Sequence, residues 1–139
     1  MDLHPIPPGL WCVPSALVAI TGADWESVIH PSLNRHGGAG SLTAMVVGTT
    51  MQCAKAVLVE LGYTVRPYKH AERHTLATWA ERSLELYPGR VLLIGVPEHA
   101  VVVKDGRVFD TWTPHGGPGG THPFASDTAI TVWLVEAPR

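Results

Sequence analysis

Cys12, His99 and Asp110 are the residues of this chain whose types and spacing can do covalent chemistry. A thiol attacks a carbonyl carbon only as a thiolate. An imidazole can take its proton and return it to a leaving group, and a carboxylate can fix that imidazole's tautomer and orientation. Cys12 lies in Gly9-Leu10-Trp11-Cys12-Val13-Pro14-Ser15-Ala16-Leu17, at the expected start of a helix. Pro14 suits a first turn, where its missing N–H costs nothing. The run to Ile20 is apolar nearly all round, the pattern of a buried helix, and Gly22 is the expected stop. A helix N-terminus lowers a thiol pKa through its partial positive charge and free N–H groups. The Cys12 N–H itself can serve as one oxyanion donor.

His99 and Asp110 belong to Leu92–Trp112, which reads as two apolar strands around a tight turn at Asp105-Gly106. Asp-Gly between apolar runs is a hairpin signal because its loop positions need positive φ. With those two residues as the loop, Lys104 faces Arg107, Val101 faces Asp110 and His99 faces Trp112. Alternation then puts His99, Val101 and Val103 on one face with Val108, Asp110 and Trp112. His99 and Asp110 become diagonal neighbours, about 7–8 Å apart at Cα and within side-chain reach.

The remaining elements have to hold these residues together. Asp24 is expected to cap a short helix from Trp25 to His30, ended by Pro31. Residues 34–50 are glycine-rich, and His36 to Gly40 lacks the lysine of a phosphate-binding loop. Thr49 or Thr50 should cap a helix to Leu61, with Gly62 beyond it, and Tyr63–Tyr68 reads as an edge strand because Pro67 cannot donate to a ladder. A helix over Leu76–Leu86 capped by Thr75 follows, then strands over Arg90–Val96, His99–Lys104 and Arg107–Thr111. After a glycine-rich loop over Thr113–Thr121 comes a last strand over Ala129–Val135. Helices first and a mostly antiparallel sheet afterwards predict one α+β domain spanning 1–139, with the N-terminal helices packed on the sheet.

Composition narrows the function. The 139 residues are 45% hydrophobic and 16% charged, which is globular, with a net charge of −2 and no Lys/Arg run of the kind that binds nucleic acid. Neither a membrane span nor a signal peptide is visible, and two cysteines do not make a disulfide framework. These features favour a cytoplasmic protein without a membrane partner.

Other reactive residues have simpler readings. Cys53 lies mid-helix and reads as a packed thiol. His70 and His74 are four apart, but the residues between them do not form a zinc-peptidase motif, so neither a metal nor a cofactor is expected. Trp11, Trp112 and His115 are candidates for the walls of a substrate cleft, although tryptophan is also an ordinary core residue and a histidine beside glycines is often solvated.

The order of Cys at a helix start, His at a strand start and Asp on the next strand resembles the papain-like cysteine peptidases. More narrowly, several pieces resemble the small C39-like members encoded by bacteriophages: Trp11-Cys12 through Thr21-Gly22, Trp25–Val28, Leu61-Gly62-Tyr63, Thr75-Leu76, Gly89–Leu93 and His99–Asp110. They cover most of 11–111, and the His-to-Asp hairpin is the most specific. The resemblance implies a central helix carrying Cys12 on an antiparallel sheet carrying His99 and Asp110. It also implies thiol hydrolysis of an amide bond in a peptide or protein, in the host cytoplasm if the chain is phage-encoded. One departure is clear. Such enzymes usually carry a Gln just before the Cys as an oxyanion donor, and residues 1–11 contain no Gln or Asn. The second donor would come from His4, the Trp11 indole, a backbone N–H or Asn34. Its loss would leave a slow enzyme, or a protein on the same scaffold that binds a host or phage partner without cutting it.

Overall fold

The structure, a computed structural model, describes residues 1–37, 51–68 and 74–138. The fold is α+β. Helix α1 (Cys12–Thr21) is followed by a π-helical turn (Trp25–Ile29), α2 (His30–Arg35), α3 (Met51–Glu60), strand β1 (Thr64–Pro67) and α4 (Leu76–Leu86). Strands β2 (Val91–Val96), β3 (His99–Lys104), β4 (Arg107–Phe109), β5 (Gly117–Pro118) and β6 (Thr131–Glu136) come after them. They form one open antiparallel sheet in the order β1-β6-β2-β3-β4-β5. No helix among the described residues is long and apolar enough to cross a membrane.

Both faces of the sheet are covered, which goes beyond the expected packing of N-terminal helices on one side. Val91, Leu93, Ala100 and Val102 pack with α1 and α3, whereas Leu92, Ile94, Val101 and Val103 pack with Leu76, Trp79 and Ala80 of α4. A central strand buried on both faces loses its polar alternation, and all six residues of β2 are indeed buried.

Local chemistry explains where elements start and stop. Gly22 ends α1 in a left-handed conformation at φ 66°, its N–H bonded to Val18 O. The Asp24 carboxylate accepts from Ser27 N–H as the cap of the next turn. Pro31, expected to end that helix, instead sits in the first turn of α2. The chain widens into a π turn just before it, with Ile29 N–H on Asp24 O, and proline is tolerated because first-turn N–H groups have no helical partner. Pro67 lies on the edge strand β1, where a missing donor is harmless. The glycine-rich stretch expected to be a plain loop holds β5 and a 3₁₀ turn (Gly119–Thr121). Gly38–Gly40 and the expected cap residues Thr49 and Thr50 lie outside the described residues.

Candidate active site

The β3–β4 hairpin has the register that its Asp-Gly turn predicts: Lys104 opposes Arg107, Val103 opposes Val108 and Val102 opposes Phe109. Strand β4 stops at Phe109, earlier than the expected Thr111, because the Asp110 side chain takes over the backbone bonding. Its Oδ1 accepts from the N–H groups of Trp112 and Thr113 and from Thr113 Oγ1, at 3.0, 2.8 and 2.7 Å. This turn locks the carboxylate in place.

The other oxygen, Oδ2, accepts from His99 Nε2 at 2.8 Å and from His122 Nε2 at 2.7 Å. Asp110 is fully buried. With Nε2 of His99 committed to Asp110, Nδ1 is the nitrogen left for Cys12, which lines the same cavity. Alternation assigns His99 and Asp110 to the α4 face of the sheet, while Cys12 begins the helix on the opposite face. The pair therefore meets at the end of the sheet, where β3 begins.

Electrostatics follow from this contact. Burial pushes the Cys12 thiol up, but the hydrogen bond and charge of His99, with the backbone amides of Ala100 and Val13, outweigh it and bring the pKa below its ordinary 9.0. Burial pulls His99 down, but its bonds to Asp110 and Cys12 and their charges push it up to about 9. Burial raises Asp110, yet the bonds from His99, Thr113 and His122 hold it well below the ordinary carboxylate value. The combination favours a thiolate–imidazolium pair resting on an ionised aspartate.

A second cluster sets the distance between the two halves. Ser15 Oγ lies 3.1 Å from Thr111 Oγ1, and both hydroxyls donate to Leu10 O, at 3.3 and 3.0 Å. This clasp ties the first turn of α1 to the residue after Asp110.

Sequence reading missed His122 as a partner of Asp110. Its Nδ1 accepts from Phe124 N–H at 3.1 Å, so the ring proton is on Nε2 and points at Asp110. His99, Trp112, His122 and Phe124 form one aromatic cluster, in which Trp112 stacks on His99 with centroids 5.1 Å apart and planes 14° from parallel. The His99, Asp110 and His122 ligand atoms lie within 4.8 Å of one another and are, among the described residues, the group that could hold a metal ion. An ion there would have to displace the protons that both imidazoles direct at Oδ2, and would take His99 away from Cys12.

A cavity of about 530 Å³ opens beside Cys12 and His99, walled chiefly by Val13, Met51, Val96, Glu98 and Ile130. The expected cleft residues Trp11, Trp112 and His115 are not in its lining. Trp11 is 43% exposed, Trp112 covers His99, and His115 is exposed. Two suggested oxyanion donors are also misplaced. His4 donates its N–H to Ala19 O and packs beneath Gly22, at the far end of a ten-residue helix roughly 15 Å long. Asn34 is exposed on α2 and does not line the cavity. Cys53 is a half-buried thiol whose Sγ donates to His36 O, and it forms no disulfide with Cys12. Of the proposed metal pair, His70 lies outside the described residues and His74 packs edge-on against Trp79.

No family model matches this chain, and neither a curated protein nor a solved structure matches it.

Proposed function

We propose that this protein is a cysteine hydrolase of papain-like, C39-like kind that attacks an amide bond in a peptide or protein. The observation that carries the reading is Cys12, at a helix N-terminus, lining one cavity with His99, which is hydrogen-bonded in turn to the buried Asp110. In the reaction, the Cys12 thiolate adds to the carbonyl carbon, and the Cys12 N–H donates to the oxyanion. The His99 imidazolium gives its proton to the departing amine, leaving a thioester on Cys12. His99 then takes a proton from water, the hydroxide adds to the thioester, and the acid leaves as the thiolate re-forms. No added metal or cofactor enters these steps. The α+β sheet with a helix-borne cysteine against a strand-borne histidine supports the papain-like reading, as does the sequence resemblance. A phage origin and action in the host cytoplasm go with that resemblance.

A second reading is a weakly active or inactive relative that binds a host or phage protein. It is favoured by the cavity's lining, which contains no Gln, Asn or Trp side chain as a second oxyanion donor. One experiment separates them: iodoacetamide labelling of Cys12 against pH in a Cys53→Ser background, followed by screening of peptide amides. The hydrolase reading expects a thiol pKa below 9.0 that rises in His99→Ala, and turnover that disappears in Cys12→Ala. An unshifted thiol and partner binding that survives Cys12→Ala would establish the second.

A further inference from the structure

The turn between β2 and β3 carries a feature that folding does not explain. Val96 pairs with His99, so Pro97 and Glu98 are a two-residue loop. Proline at the first loop position and a positive φ at the second are the type II combination, whose second position is normally Gly or Asn. Here it is Glu98, at φ 61°. The only other non-glycine with positive φ among the described residues is Asp105, whose carboxylate accepts from Gly89 N–H at 2.7 Å and so has a structural use. Glu98 is exposed and makes no hydrogen bond or ion pair among the described residues. Glu98 lines the cavity that holds Cys12 and His99. Strain at a residue bordering a reactive site points to function.

The rest of the cavity says what this carboxylate would meet. Val13, Met51, Val96 and Ile130 are apolar, and Glu98 is the only carboxylate in the lining among the described residues. Gly95 lets Met51 pack close against β2, since a Cβ there would lie 3.1 Å from Met51 Cγ. Apolar side chains and an unpaired carboxylate lining one cavity fit a long side chain with an aliphatic stem and a cationic head. We infer that Glu98 selects substrates carrying a lysine or arginine side chain next to the bond attacked by Cys12. The stem would lie along Val13, Met51 and Val96 and the charged head on Glu98. The inference rests on Cys12 being the reactive group of the proposed hydrolase.

The test labels Cys12 without requiring turnover. In the full chain carrying Cys53→Ser, the rate of Cys12 alkylation is measured by mass spectrometry with N-blocked lysyl and norleucyl chloromethyl ketones and with iodoacetamide. The thiolate displaces chloride or iodide in each case, and only the lysyl reagent carries a cation. The lysyl reagent should react about two- to fivefold faster than the norleucyl one, the scale of an ion pair at an exposed carboxylate. Glu98→Gln and Glu98→Gly should bring the ratio to about one while leaving the iodoacetamide rate unchanged. Glu98→Gly should also raise the Tm, because glycine relieves the positive φ. A ratio near one in the parent, a ratio that survives both substitutions, or an iodoacetamide rate that falls with them overturns the inference. Lysyl selectivity with no hydrolysis of a lysyl amide would instead sink the hydrolase reading and leave cation recognition standing.

Discussion

His122 Nε2 and His99 Nε2 share one oxygen of Asp110, at 2.7 and 2.8 Å, so His122 sets the position of a carboxylate it does not adjoin in sequence. Its second nitrogen is held by Phe124 N–H. His122→Phe keeps a ring of similar size but removes both bonds and leaves the Phe124 amide and Asp110 each short of a partner. We expect a loss of about 1.5–3 kcal/mol in unfolding free energy, the cost of a buried charge-assisted bond. An unchanged denaturation midpoint would show that the His122–Asp110 bond is not formed.

The pH dependence of reaction follows from the opposite shifts of Cys12 and His99. The thiolate forms below the ordinary 9.0, and His99 keeps its proton up to about 9. Turnover should therefore rise as pH climbs through the lowered thiol pKa and fall again above about 9 as the imidazolium loses its proton. His99→Ala removes the acid and the main group lowering the thiol, so the labelling midpoint should move upward and kcat should drop about 10²–10⁴-fold.

Asp110 links the site to acid stability. Its carboxyl is held below the ordinary 3.8, so the folded state binds that proton less readily than the unfolded chain. The stabilisation is present above pH 3.8 and is lost as pH falls through the lower folded value. Thermal melts of the parent and Asp110→Asn should differ most near neutrality and converge in strong acid. A gap that stays constant with pH would contradict the linkage.

The clasp of Ser15, Thr111 and Leu10 can be read by a double-mutant cycle. Ser15→Ala and Thr111→Val should each destabilise, and together cost less than their sum, with a coupling of about 0.5–1.5 kcal/mol. Either variant should also slow Cys12 labelling near neutral pH, because the helix start and the Asp110 turn are no longer tied.

Gly119 lies where the 3₁₀ turn crosses α4, and a Cβ there would overlap the Ala80 methyl. Gly119→Ala should push this turn off α4, costing roughly 1–3 kcal/mol by overpacking and displacing His122. Gly120, with open space around it, is the control and should tolerate alanine.

The hairpin was legible in the sequence because an Asp-Gly turn sets register and period-two alternation sets faces. Cys12 was legible because Pro14 marks a first turn. His122 was not, since it reaches Asp110 through Thr113–Thr121, a path of turns with no periodicity to extrapolate. The stop of β4 was hidden because Asp110 uses its side chain, not strand pairing, to satisfy Trp112 and Thr113. Helix α4 gave its own capping and apolar face in sequence, but the face of the sheet it covers depends on contacts distant along the chain. The wide turn before Pro31 escaped because a proline can end one helix or begin another, and tertiary packing decides which.

The two halves of the site lie far apart in the chain: Ser15 and Thr111, which clasp them together, are separated by 96 residues. During synthesis Cys12 is made well before His99 and Ala100, two of the groups that lower its pKa. The nascent protein thus lacks the share of that lowering that His99 supplies until β3 has been made. Ribosome-stalled chains ending before His99 should react with iodoacetamide more slowly near neutral pH than the released, folded protein, which has β6 in its sheet. Equal reactivity in the two would mean that the helix terminus alone activates Cys12.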